Sequence, residues 1–339
     1  MKLIKTIKKI AYLWHIDSIY VKAWRNGLYK LEGNELNLLI DGELEAFAIY
    51  SEDIVYQLVN DNSTIYIFKD GKSKQLLKDE SVEFCSISTG DVIENKLSIY
   101  FTKKGEFIPE GMYLIGKDLK SEKAEITNVY SLQVGQYYFN KSNKEVFSYQ
   151  KDHIQRFKID IRTFGRNIKK HRDTGEVLSD EPNEIDGDLF GYEGLLYVPL
   201  KGGQLLALNA ADGKKVWFLE HEISGAYHIL DNFIYKKDGK QIYEIEAVSG
   251  KILRKKVFKE DKALINFFAA GPLWVFKEII IVVDITNGKI CIMDRISLQV
   301  LDFFSINQKL PYSPHAINWH ENKLYVLDLE NTLHIYEKD

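Results

Sequence analysis

The sequence predicts an all-β chain, a single β-propeller built from eight four-stranded blades. Three observations carry this. A unit recurs through the chain, most legibly as LLYVPLKGGQLLALNAADGKKVWFLE from Leu195 to Glu220, and similar units run from Ser18 to Glu337. Each contains an apolar run centred on an aromatic or branched residue: Tyr20, Tyr56, Tyr100, Tyr138, Tyr197, Tyr235, Ile281 and Tyr325. Successive centres lie 36 to 46 residues apart, with one step of 59 between Tyr138 and Tyr197. Self-similarity at this period marks an array in which each repeat is one small antiparallel sheet. The third observation is turn chemistry. Asn26-Gly27, Asp61-Asn62, Gly202-Gly203, Asp238-Gly239 and Asn287-Gly288 follow the apolar runs, and such pairs enter positive φ cheaply, as tight hairpins require.

The elements follow in order within each unit. The second strand of a blade is the apolar run. The third strands are GLYKLEG, STIYIFK, GMYLIGK, EVFSYQ, QLLALN, QIYEIE, KICIMD and TLHIYEK, several of which alternate apolar and polar residues as half-buried strands do. A second turn, Asp212-Gly213 or Ser249-Gly250, leads to a more charged outer strand, KKVWFLE or KILRKKV, suited to a solvated edge. The last unit, from His315 to Asp339, lacks an outer strand of its own, and the candidate is the N-terminal segment 1–16. There Leu3, Ile4, Ile7 and Ile10 follow helical rather than alternating spacing, so seven blades remains the alternative count.

Bulk properties narrow the function classes. The chain has 339 residues and a net charge of −4 with both signs interspersed, which excludes the basic footprint of a general nucleic-acid binder. One domain spanning 1–339 is expected, since closed all-β domains run long. Cys85 and Cys291 lie in apolar runs and are expected as buried free thiols. The N-terminal stretch is basic, but lysines at 5, 8 and 9 interrupt it and no apolar core or cleavage site follows. No segment has the ~20 apolar residues of a membrane span. The expected location is the cytoplasm, with a short basic amphipathic helix at a membrane surface as the outside alternative.

The unit at Leu195–Glu220 resembles the repeat of pyrroloquinoline-quinone-type β-propellers through Tyr197, Gly203, Ala207, Leu208, Asp212, Gly213, Lys214 and Trp217. The next unit matches more loosely through Tyr235, Gly239, Tyr243, Ser249, Gly250 and Lys251, and the unit around Ile281 more weakly still. The resemblance implies the propeller fold. It implies structural roles for these residues: glycines at turns, Ala207 allowing close approach of the next blade, and Trp217 lying flat on its neighbour. The family's enzymes also hold a quinone with a disulfide between adjacent cysteines. The two cysteines here are 206 positions apart, so no cofactor is expected.

Motifs of catalysis are missing. The histidines form no HxH or HExxH pattern; His315 and His320, with Asp328 and Glu330 downstream, make only a weak metal candidate. The acidic run DEPNEIDGD from Asp180 to Asp188 departs from the calcium-loop spacing and reads as a solvated loop. No catalytic, cofactor or metal residue is therefore assigned. The long step contains a charged insertion, 162–188, basic in its first half and acidic in its second. It reads as a surface loop folded on itself through charge, or as a partner-binding arm. Candidate partner-binding residues are Arg166, Lys169, Lys170 and Arg172 on this arm, and Phe268, Leu273 and Trp274 in a second excursion, Phe267 to Glu278, which reads as core packing first and as an interface second.

These observations lead to a non-enzymatic cytoplasmic propeller that binds another protein. A narrower version is a bacterial immunity protein capping a toxin or effector. The alternatives are an enzyme or sugar binder acting through the central channel, and a scaffold subunit of a larger assembly.

Overall fold

A computed structural model of the chain describes its residues apart from 16–17, 24–26, 51–52, 89–96, 105–110, 126–131, 151–153, 172–173, 221–226, 238–240, 259–263, 265–266, 268–272, 307, 311–315 and 339. The described strands form eight four-stranded sheets and one two-stranded hairpin. The fold is an eight-bladed β-propeller. The chain divides into two compact units, one of 7–131 and one of 1–6 with 132–339.

The first of these units holds blades 1 to 3. Blade 1 is Ile10–His15, Ile19–Ala23, Gly27–Glu32 and Glu35–Ile40. Blade 2 is Leu44–Tyr50, Asp53–Leu58, Asp61–Lys69 and Lys72–Lys78. Blade 3 is Val82–Ser88, Leu97–Lys103, Gly111–Ile115 and Ser121–Glu125. Val55, Ile65, Leu97, Ile99 and Ile115 are fully buried between blades 2 and 3. A bulge falls between Phe84 and Ser86. It turns Cys85 outward, so this thiol is exposed rather than buried as its apolar run predicts; Cys291 is buried as expected.

The second unit holds blades 4 to 8. Blade 4 is Leu132–Val134, Tyr137–Lys141, Glu145–Tyr149 and Gln155–Asp160. Blade 5 is Phe190–Tyr192, Leu195–Leu200, Gln204–Asn209 and Lys215–Leu219. Blade 6 is Tyr227–Leu230, Phe233–Lys237, Gln241–Glu246 and Ile252–Val257. Blade 7 is Leu273–Val275, Ile279–Asp284, Lys289–Asp294 and Val300–Ser305. Blade 8 is Ile317–His320, Lys323–Leu327 and Thr332–Glu337, completed by Lys2–Lys8 as its fourth strand. The helical spacing of Leu3, Ile4 and Ile7 thus gives way to a strand. A sheet edge offering unpaired backbone groups outweighs a weak local periodicity.

Burial follows strand position. Both second strands LLYVPL and IIIVVD are buried at every residue, having packed blades on each side. The outer strand ILRKKV alternates instead, with Leu253 and Lys255 exposed. The ladder between third and fourth strands carries a register shift in six sheets among the described residues. Such a bulge twists the outer edge away from a flat template for aggregation.

Three consecutive turns between third and fourth strands are built alike. Gly213, Gly250 and Leu298 each return an N–H to the carbonyl four residues back, on Asn209, Glu246 and Asp294. All three have positive φ: 72°, 70° and 56°. Gly250 is required twice over, because a Cβ there would stand 2.5 Å from the Trp217 ring of the preceding blade. The carbonyl at the start of each turn is captured by the preceding blade's outer strand. Arg156 donates to Ala210, Trp217 Nε1 to Ala247 at 3.0 Å, and Arg254 to Arg295. Tyr197 adds its hydroxyl to the same Ala247 carbonyl at 3.1 Å. Gly203, Gly213 and Gly250 take the turn geometry implied for them, Ala207 is fully buried and Trp217 nearly so, and Gly239 lies outside the described residues.

Candidate protein-docking surface

The charged insertion leaves blade 4 after a short 3-10 turn, Ile161–Thr163, capped by the Asp160 carboxylate. Gly165 then turns the chain at φ 64°, and a Cβ at this site would meet Phe218 Cζ at 2.6 Å. Next comes regular structure. Arg166–Lys170 pairs antiparallel with Val177–Pro182, in the register Arg166↔Pro182, Asn167↔Glu181, Ile168↔Asp180, Lys169↔Ser179 and Lys170↔Val177. The insertion is a β-hairpin rather than a loop held only by its charges. Its tip closes through Gly175 N–H to the His171 carbonyl at 2.9 Å and His171 N–H to the Glu176 carbonyl at 2.7 Å. Gly175 takes φ 74°. The readable signal was a Thr174-Gly175 turn between two short extended runs.

The hairpin's root is a buried amide cluster on blade 5. Asn183 is fully buried, and its amide donates to the Gln204 side-chain oxygen and to the Phe164 carbonyl at 3.3 Å. Gln204 returns its own amide to the Arg166 carbonyl at 3.3 Å. Pro182 stands opposite Arg166 and has no N–H to give. Asn167, also buried, packs beside the Lys201–Gly203 turn that joins the second and third strands of blade 5. A salt bridge from Lys201 to Glu184 and a bridge of Ile185 with Leu200 finish the root. Buried amides satisfied on both sides fix one geometry, because every alternative leaves a polar group unpaired. The stem is therefore held, and the hairpin projects from the blade.

Under this root lies a buried lysine. Lys236 is 1% exposed, in the second strand of blade 6. Its ammonium sits 3.2 Å from the centroid of Tyr227, its cross-strand partner. The Tyr227 hydroxyl reaches the Gly203 and Gln204 carbonyls at 3.0 and 3.1 Å, and its ring stacks on Phe190. Burial lowers the Lys236 pKa from 10.5 to about 7, while the Asp186 carboxylate opposes the shift. Burial also raises the Tyr227 phenol well above its ordinary value. Next to it, His228 is lowered by burial, and its Nε2 finds no partner among the described residues.

The residues expected to bind a partner separate into three groups. Arg166 and Lys169 stand exposed on the hairpin, and Arg166 is paired with Asp180 at 2.5 Å. Lys170 belongs to the same strand. Arg172 and Phe268 lie outside the described residues. Leu273 and Trp274 follow the core reading of their excursion, which corrects their place among the partner-binding candidates. At 2% and 6% exposure they are core residues of blade 7's first strand, packed among Tyr235, Val282 and Cys291 on one side and Ile281 and Ala316 on the other. An apolar strand between two blades gains more from burial than from display. Sequence reasoning missed Val177 and Leu178, which are 54% and 62% exposed on the hairpin's second strand.

The Asp328 carboxylate has a structural role. His334 meets Asp328 at 2.7 Å, but Asp328 also takes the Glu330 and Thr332 N–H groups, and so braces a turn. His320 lies 3.8 Å from Glu321, and His315 lies outside the described residues. Among the described residues no three His, Cys, Asp or Glu side chains gather as a metal site would need, and no helix is long and apolar enough to cross a membrane.

No family model and no curated protein matches the chain. Solved structures do. BamB from Moraxella catarrhalis aligns over 99% of both chains at 11% identity and a TM-score of 0.55. Sqt1 from Saccharomyces cerevisiae aligns over 99% of both at 12% identity and a TM-score of 0.58. The computationally designed Ika8 protein aligns over 98% of this chain and 96% of its own at 14% identity and a TM-score of 0.51. Likeness at such low identity speaks for architecture and not for activity. By strand topology and by these full-length alignments, the chain is an eight-bladed β-propeller.

Proposed function

We propose that this chain is a non-catalytic, protein-binding propeller, and that the hairpin 166–182 is its docking element. One observation carries the reading. A charged hairpin interrupts an otherwise regular array, and a buried Asn183–Gln204 cluster anchors it while its outer strand stands in solvent. Sequence that orders a projecting element so thoroughly, with exposed Val177 and Leu178 on it, fits a binding role better than a simple connection between blades. In its narrower form the proposal is a cytoplasmic bacterial immunity protein that caps a toxin or effector. The repeat at Leu195–Glu220 fits descent from the pyrroloquinoline-quinone-type propellers with the cofactor role lost.

The test replaces 168–180 by Asn-Gly, which closes a tight turn between Asn167 and Glu181 and leaves the buried root intact. Tagged wild-type and shortened chains are compared for stoichiometric partners in cells of the source organism, and binding is repeated with the purified partner. Loss of a defined partner on shortening, with unchanged melting, is the expected result. A partner held equally by both chains overturns the assignment of the hairpin. A toxin-like activity in that partner, suppressed by the wild-type chain, is what the immunity version requires.

A further inference from the structure

We propose that the outer strand of the hairpin, Val177–Pro182, receives an extended, basic and apolar segment of the partner protein as a third strand. The proposal rests on the docking role above and adds the chemistry of what docks. Val177–Pro182 has one hydrogen-bonded neighbour among the described residues, the strand Arg166–Lys170. That neighbour faces the Lys201–Gly203 turn of blade 5, so the open edge is the outward one. Every residue of the outer strand except Ser179 is exposed. An edge of this kind offers its backbone N–H and C=O groups to an incoming strand.

Side chains decide which strand fits. Leu178 is the extra residue of a bulge: Lys169 pairs with Ser179 and Lys170 with Val177, leaving Leu178 outside the ladder. The bulge turns its side chain to solvent beside Val177, an apolar pair that an apolar residue of the partner would cover. Around this pair the strand is acidic, with Glu176 before it and Asp180 and Glu181 after it. Arg166 already pairs with Asp180, which leaves Glu176 and Glu181 as the carboxylates of this stretch outside any ion pair among the described residues. A second copy of the same edge would set carboxylates against carboxylates. A segment with lysine or arginine flanking an aliphatic residue meets both features, gaining charge complementarity as well as backbone pairing.

The probe is a fluorescein-labelled octapeptide alternating valine and lysine, titrated into the full chain at low salt and followed by anisotropy. It should bind about tenfold more tightly than its valine–glutamate counterpart. Methylating alternate backbone nitrogens should cost about tenfold, because a ladder then loses its donors. Glu176→Lys with Glu181→Lys should bring the two unmethylated peptides within about twofold, and Leu178→Ser should weaken the lysine peptide about threefold. Each substitution is on an exposed residue, and an unchanged melting temperature shows that the fold survives. Equal binding of the methylated peptide overturns strand addition, and an unaltered peptide preference in the doubly substituted chain overturns the charge assignment. A dimer of the chain that Leu178→Asp dissolves, seen by sedimentation, would make a second copy the occupant instead. Failure of the peptide while the shortened hairpin still loses its natural partner overturns this inference alone; a partner retained by the shortened chain overturns the docking role beneath it.

Discussion

The seams from blade 4 to blade 7 and the seam between blades 2 and 3 solve one problem in two ways. In the former, each outer strand captures the carbonyl that opens the next blade's last turn, using Arg156, Trp217 and Arg254 in succession. In the latter, buried Gln57 donates to the Phe84 carbonyl at 2.8 Å, and Tyr113 gives its hydroxyl to Asp79 at 2.7 Å. The first device recurs at the repeat period and leaves a trace in sequence. The second is made of side chains peculiar to one place and leaves none. A repeat array needs only that every seam be filled, and different side chains fill it equally well.

Breaking the repeated device should cost most. Trp217→Ala removes a buried indole, its bond to Ala247 and the surface on which Gly250 rests, and should destabilise the chain by about 3–5 kcal/mol in urea unfolding. Gly250→Ala should cost about 2–3 kcal/mol, since the new methyl meets the Trp217 ring at a positive φ. In the Trp217→Ala background the clash is gone, so the same glycine change should cost about 1 kcal/mol, the backbone part alone. Equal costs in both backgrounds would break the account of the repeated seam.

Lys236 sharpens the comparison through pH. Its folded pKa of about 7 lies below the ordinary 10.5, so the unfolded chain binds more protons between these values. The penalty of burying the charge is complete below pH 7 and is relieved as pH climbs from 7 toward 10.5. Wild-type stability should therefore rise across that window from this group. Lys236→Met should be the more stable chain at pH 6, by about 2 kcal/mol, and should lose this part of the slope. Parallel melting curves for the two chains from pH 6 to 10 would contradict the burial argument.

The bespoke seam should be the more forgiving. Gln57→Leu sacrifices the bond to Phe84 but also removes a side-chain oxygen that finds no partner among the described residues, for a net cost of about 1 kcal/mol. Asp79→Asn keeps an acceptor for Tyr113, and about 0.5 kcal/mol or less is expected at pH 7. Losses at these positions matching that of Trp217→Ala would erase the distinction between the two kinds of seam.

Strand after strand was legible in the sequence, because alternation and apolar runs are local consequences of burial on one face or two. The runs around Tyr197, Tyr235 and Ile281 became second strands, and the turns at Gly213 and Gly250 stand where their composition put them. Positive φ favours glycine, so turns such as these are written residue by residue, although Leu298 takes the same turn without one. In the sequence the hairpin reads as a charged insertion, and its Thr174-Gly175 turn is the one local sign of its strands. Its strands are short, its anchor is three amides scattered over Asn167, Asn183 and Gln204, and no local pattern links them. Tertiary structure decided that Lys2–Lys8 is a strand, by offering it the unpaired edge of blade 8. It also buried Leu273 and Trp274 between blades and left Val177 and Leu178 in water, although all four are apolar. Hydrophobicity fixes what a side chain gains from burial; which side chains obtain it depends on neighbours brought from elsewhere in the chain.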